Sequence, residues 1–184
     1  KEMGTSLLQA IYLFKDKEVA GGYVFYSPTD KKGVYFGDSN QKSMEEVVIK
    51  PERKGKLLTD RLCLISNVLV VSQRFLIVMQ KMNNQKIKIV PSVIDIGKEL
   101  IRNKYSLIYP DEEIDIIDYK NSKLKLYKGH VLSAQKLIAE KNKVPTFDLF
   151  YAKSVSWIVS EKFKTIIETQ NFSGMRFEEI EMPI

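Results

Sequence analysis

One cysteine and one histidine in 184 residues leave little of the chemistry that marks many enzymes. Cys63 has no partner for an internal disulfide, and "DRLCLISNVLVV" surrounds it with apolar residues, which describes an inert core thiol. His130, between Gly129 and Val131, is the sole conventional general base and reads as a structural or surface histidine. A second histidine for a transition-metal site is lacking. So are a phosphate-cradling glycine loop, a G-x-S-x-G elbow, H-E-x-x-H and C-x-x-C. The longest apolar run, Leu62 to Val71, is interrupted by Ser66 and Asn67 and is far short of a membrane span. No secretory signal is legible. Together these absences favour a reduced, cytoplasmic protein that is not an enzyme, with no catalytic, metal or cofactor-binding residue and no membrane partner.

What the chain does have is apolar content and an uneven charge. At 44% hydrophobic residues, 184 residues can bury one good core, and two full domains would be a tight fit. The expectation is one domain over 1–184, with a turn-rich part over 1–56. Residues 1–92 carry the whole net charge of +6, while 93–184 are neutral. The densest basic piece is "KPERKGK", and its Pro51 and Gly55 make it an exposed loop. Lys50, Arg53, Lys54 and Lys56 are therefore the candidate partner-binding residues, suited to an acidic protein surface or to nucleic acid. The carboxylates Asp111, Glu112, Glu113, Asp115 and Asp118 crowd together, but on a strand they do not share a face, and no calcium-type loop accompanies them.

The pattern that stands out is an echo. "VVSQRF" at Val70–Phe75 returns as "IVSEKF" at Ile158–Phe163, 88 residues on. Phe75, Val78 and Met79 in one copy, and Phe163, Ile166 and Ile167 in the other, have the i, i+3, i+4 spacing of a buried helical stripe. Ser72 and Ser160 stand where an N-cap is needed, although neither copy has the Glu or Gln of a reciprocal capping box. Turn residues follow in "MNNQ" and "NFSG", then the alternating strands "KIKIV" and "MRFEEI".

Elsewhere the reading is coarser. "GGYVFYSPTDKKGVYFGDSN" suggests a hairpin, "MEEVVIK" a strand and "LLTDRL" a short helical turn. Strands are expected around Leu107–Tyr109 and at Ile114, Ile116 and Ile117, a helix over "LSAQKLIAEKN" capped by Ser133, and a strand at "TFDLFYA". Strands and helices mix without strict alternation, so the fold class is α+β: one domain with a mixed sheet and a strand-helix-strand unit used twice.

"YSLIYPDEEIDIIDYKNSKL", "LFYAKSVSWIVSEKFKTIIETQNFSGMRFEEIEM" and "VVSQRF" together resemble a bacterial family of polymorphic-toxin immunity proteins, of the immunity-protein-11 and -43 type. The resemblance covers about Leu57 to Met182. It implies a non-enzymatic cytoplasmic protein that binds and neutralises a cognate toxin. Ser72 and Ser160 would be caps in it, Phe75 and Phe163 core, and Gly174 a turn residue. The rival reading is a small basic nucleic-acid-binding protein, whose affinity would fall steeply with salt. Neither reading fixes the oligomeric state.

Overall fold

The computed structural model describes residues 10–17, 24–25, 47–53, 58–64, 68–128 and 130–183. The first strands are β1 (Ile11–Asp16), β2 (Val24–Phe25), β3 (Val47–Ile49) and β4 (Pro51–Arg53). The hairpin of β5 (Arg61–Leu64) and β6 (Leu69–Ser72) leads into helix α1 (Gln73–Met79), then β7 (Ile87–Asp95) and β8 (Leu100–Pro110). After β9 (Lys123–Tyr127), β10 (His130–Lys136) and a 3-10 turn at Lys141–Lys143 come β11 (Leu149–Ala152), β12 (Ser156–Ser160), α2 (Glu161–Thr169) and β13 (Met175–Glu179). One sheet has the order β3-β7-β8-β6-β5-β2-β4, a second β11-β12-β1-β13, and β10-β9 stand as a pair. The larger sheet is mixed, since β3/β7 and β2/β5 run parallel while β5/β6, β6/β8 and β7/β8 run antiparallel. The fold is α+β, as its element pattern predicts.

The echo in the sequence is an echo in space. In the first hairpin Arg61 faces Val71 and Leu62 faces Val70; in the second, 88 residues on, Leu149 faces Val159 and Phe150 faces Ile158. Both serines cap as expected: the Ser72 hydroxyl accepts from the Phe75 N–H at 3.2 Å, and the Ser160 hydroxyl from the Phe163 N–H at 3.1 Å. Beside them, the Gln73 side chain donates to the Ser106 hydroxyl on β8, and the Tyr12 hydroxyl on β1 donates to Glu161, which occupies the place of Gln73 in the second copy. That contact, ahead of burial, pushes the Tyr12 phenol up to about 12.

β1 and β8 are thus equivalent strands, and they are exchanged. β8 lies between β6 and β7, whereas β1 lies between β12 and β13. The chain reads twice as strand, long connection, hairpin, capped helix, strand, and the first strand of each half sits in the sheet of the other. The halves share one core around Phe14, Phe75 and Phe163, whose rings lie 5.9 to 6.3 Å apart. All three are fully buried, with Trp157 and Met79 beside them. Burying an aromatic or aliphatic side chain of this size contributes about 1.5–3 kcal/mol, so the seam between the halves is the centre of the fold.

Each capping serine is itself held by an aspartate 12 residues earlier. The Ser72 hydroxyl donates to Asp60 at 2.8 Å and the Ser160 hydroxyl to Asp148 at 2.7 Å. The turn that leaves one helix then docks on the aspartate of the other half. Ser173, after α2, gives its N–H to Asp60, and Asn83, after α1, gives its N–H to Asp148, both at 3.0 Å. Burial opposes ionisation of Asp60, but Arg74, the Ser173 amide and the serine hydroxyls outweigh it and hold the carboxyl below the usual range. Burial likewise opposes ionisation of Asp148, and Ser160, the Asn83 amide and Lys162 outweigh it.

Several local expectations are corrected. "LSAQKLIAEKN" is no helix, because residues through Lys136 pair with β9, Ser133 facing Lys125 and Ala134 facing Leu124. Ile114 and Ile117 make isolated bridges, to Ala152 and Ala139, in place of a strand. "LLTDRL" is irregular at Leu58 and Thr59 and becomes β5 at Arg61, whose N–H bonds Ser173. Val78 and Ile166 are half-buried. Pro51–Arg53, expected in a loop, is β4 at the outer edge of the larger sheet, where a proline's missing N–H leaves no inner ladder bond unmade. Of the expected aromatic N-terminal hairpin, Val24–Phe25 form β2, which pairs with β4 and β5; the rest of it, and the side chain of Cys63, lie outside the described residues.

Candidate partner-binding site

The connection after β8 builds a projecting arm. Its foot is tightly held: Ile116, Ile117, Ile138 and Ala139 are buried, and the Asp118 N–H donates to the Ile138 carbonyl at 2.9 Å. The Ser122 hydroxyl accepts from the Ile138 N–H at 2.9 Å. Bridges from Ile114 to Ala152 and from Ile138 to Glu181 tie the foot to both outer sides of the four-stranded sheet. Asp118 closes the turn below β9 by accepting from the N–H groups of Lys120 and Asn121. The Asn121 side chain leads the hydrogen bonds that hold its carboxyl below the usual range.

Beyond the foot, β9 and β10 leave the core. Strand alternation puts Lys123, Lys125 and Tyr127 on one face and Leu124 and Leu126 on the other. The register adds Ser133 and Lys136 to the lysine face, and Val131 and Ala134 to the leucine face. Leu126 is 50% exposed, and Tyr127 and Leu132 are both 58% exposed. From Tyr119 to Lys136 the chain has five lysines and no carboxylate. Lys136 pairs with Glu181 at 2.8 Å, and Lys128 lies over the Tyr127 ring at 5.4 Å. Among the described residues no carboxylate lies within ion-pair distance of Lys123, Lys125 or Lys128.

A second concave feature is a groove of about 440 Å³ between the two helices, lined by Arg74, Ile77, Val78, Lys81 and Met82 with Ile166 and Gln170 opposite. Val78 and Ile166 are equivalent positions of the two copies, and the groove explains why neither is fully covered. Of the basic residues expected to bind a partner, Lys50 is exposed and 3.5 Å from Asp95. Arg53 ends β4; its side chain, and Lys54 and Lys56, lie outside the described residues.

The acidic cluster serves local structure. Asp111 pairs with Lys86 at 2.9 Å and Lys88 at 3.1 Å, and Asp115 accepts from the Ile117 N–H. Among the described residues no three His, Cys, Asp or Glu side chains group as a metal site, and no helix is long and apolar enough to cross a membrane. The arm escaped the sequence reading because charge averaged over 93–184 cancels its lysines against carboxylates that precede and follow it. Counting over 119–136 alone would have shown them.

No curated protein matches the chain. A family model does, and it extends well before Leu57, where the resemblance in sequence motifs begins. β1 supplies the reason, since it is an inner strand of the four-stranded sheet and carries the buried Ile11, Leu13 and Phe14. With its model matching residues 7–182, the chain belongs to the immunity protein family Imm11.

Proposed function

We propose that this protein protects a bacterial cell by binding a cognate toxin in the cytoplasm and covering its working surface, without catalysis of its own. The observation that carries this reading is the family match over residues 7–182. The exposed leucines and unpaired lysines of the arm support it, because core stability gives no reason for them. A stable inhibitor needs about 1,600 Å² of total buried surface with a few apolar or aromatic anchors, and a projecting two-stranded element extends what one face can offer. Lys50, Arg53, Lys54 and Lys56 are proposed to assist encounter through long-range attraction.

Coexpression with the product of the gene directly upstream, expected to kill cells when expressed alone, tests the reading. Growth restored by this chain, with a stoichiometric complex on copurification, is the expected outcome. Continued killing in the presence of folded, soluble protein overturns it.

A further inference from the structure

We infer that the β9–β10 arm is the gripping element, and that it enters an acidic cleft of the partner protein. Lys123 and Lys125 would meet carboxylates on one side and Leu124 and Leu126 an apolar wall on the other, with the exposed Lys128 and Leu132 bordering them. This rests on the toxin-binding reading above.

Four observations carry the inference. The arm contributes little to the core: Lys123 and the whole of Lys125–Lys128 are exposed, as are Leu132–Lys136. An isolated two-stranded hairpin is marginal in water, yet this one is ordered by its foot, so seating it in a partner entails little further loss of conformational freedom. Its lysine and leucine faces are opposed, which suits a cleft with two walls better than a flat surface. Finally, Lys123, Lys125 and Lys128 carry charge of one sign with no carboxylate beside them among the described residues, so a partner surface rich in carboxylates is complementary, while a basic groove of the kind that holds nucleic-acid phosphates would repel it.

Two other occupants fit less well. Addition of a strand from a second copy needs a regular free edge, but the pairing is interrupted between Val131 and Ser133 and again between Ala134 and Lys136. Such irregularities, with lysines alongside, are how natural sheets blunt edges. Nucleic acid would use the lysines and stack on Tyr127 but has little use for two half-exposed leucines, because stacking on bases requires flat rings.

The test uses the full chain and the purified product of the gene directly upstream, the partner expected under the reading above. Reversing charge in K123E/K125E/K128E should lower the association rate roughly 10- to 100-fold at low salt, with the deficit shrinking as salt rises. L126S/L132S should raise the dissociation rate by about tenfold or more while leaving association within a few-fold. Both variants should keep the parent's unfolding midpoint, because their side chains lie outside the core. If both bind as the parent does, the arm is not the contact and the inference falls while the toxin-binding reading stands. If the parent itself neither binds nor protects, that reading falls and takes the inference with it. A 20-base-pair random DNA duplex is the third probe: submicromolar binding at physiological salt, lost with the lysine reversals, overturns the protein-cleft assignment in favour of nucleic acid.

Discussion

The two halves of this protein start from one plan and spend their long connections differently. After β1, the connection over 17–60 carries β2, β3 and β4, which extend the sheet of the first hairpin on both sides. After β8, the connection over 111–148 adds no strand to either sheet; it fastens to both outer sides of the second sheet and carries β9 and β10 outward. The first hairpin thus lies inside a seven-stranded sheet, while β11 and β13 bound a four-stranded one. The clamps differ in the same direction. Asp60, its side chain 13% exposed, grips Arg74 in a two-pronged contact at 2.8 and 3.2 Å. Asp148 is 5% exposed and has Lys162 at 3.1 Å. A duplicated framework holds both copies in register at the centre, so variation collects at the periphery, where a partner would be met.

The sharpest way to break this symmetry is at the aspartates. Asp148→Ala strands the buried Ser160 hydroxyl and the Asn83 N–H, and each unsatisfied group of that kind costs about 1–3 kcal/mol, so a total near 3–4 kcal/mol is expected. Asp60→Ala, where the less buried Ser72 hydroxyl can turn to water, should cost about half as much. Urea unfolding of the two variants measures both, and equal losses would mean that the clamps are not graded by burial.

A second asymmetry lies one turn away. Gly174 has φ +85°, and a Cβ there would collide with the Arg61 carbonyl oxygen and the Thr59 side chain. Lys86, its counterpart in the first copy, has an ordinary side chain that pairs with Asp111. Gly174→Ala should therefore destabilise by about 2 kcal/mol or more, from overpacking together with a left-handed backbone. Lys86→Ala should leave stability nearly unchanged, as the loss of an exposed ion pair does. Thermal midpoints of the two variants check this.

Both clamp carboxyls are held below the ordinary aspartate value of about 3.9. The folded state binds fewer protons than the unfolded one in that range, so the stability they contribute is complete above about pH 4. It is lost as pH falls from there through the depressed folded values. Asp148→Asn and Asp60→Asn should each flatten that acid limb, as read from urea midpoints at pH 7 and pH 3. The smallest effect belongs to the basic residues near β4: reversing charge at Lys50, Arg53, Lys54 and Lys56 should slow toxin association a few-fold and leave the dissociation rate unchanged. Kinetics at two salt concentrations distinguish this from the larger effect expected for the arm.

The repeat was legible because helix starts obey local rules. A serine ahead of an i, i+3, i+4 stripe is satisfied by its own neighbours, and Phe75 and Phe163 are buried as that stripe requires. The aspartates were also written in the sequence, since both copies place Asp 12 residues before the capping Ser, but a spacing acquires meaning only once a hairpin is known to fold it back. The second strand of the arm reads as a helix from Leu132 on for the complementary reason: Ala134, Leu137 and Ile138 imitate helical spacing, and only pairing with β9 decides otherwise.

What the sequence determined by itself is therefore the local grammar: two capped helices, the strands that flank them, the α+β class, and enough motif to point to a family. Tertiary structure decided which half receives which first strand, whose exit turn closes whose aspartate, and that the lysines of 120–136 stand together on an arm. Hydrogen bonds within one turn of helix depend on residues three or four apart, whereas strand exchange and exposure depend on contacts spanning nearly the whole chain. No window of sequence contains both partners.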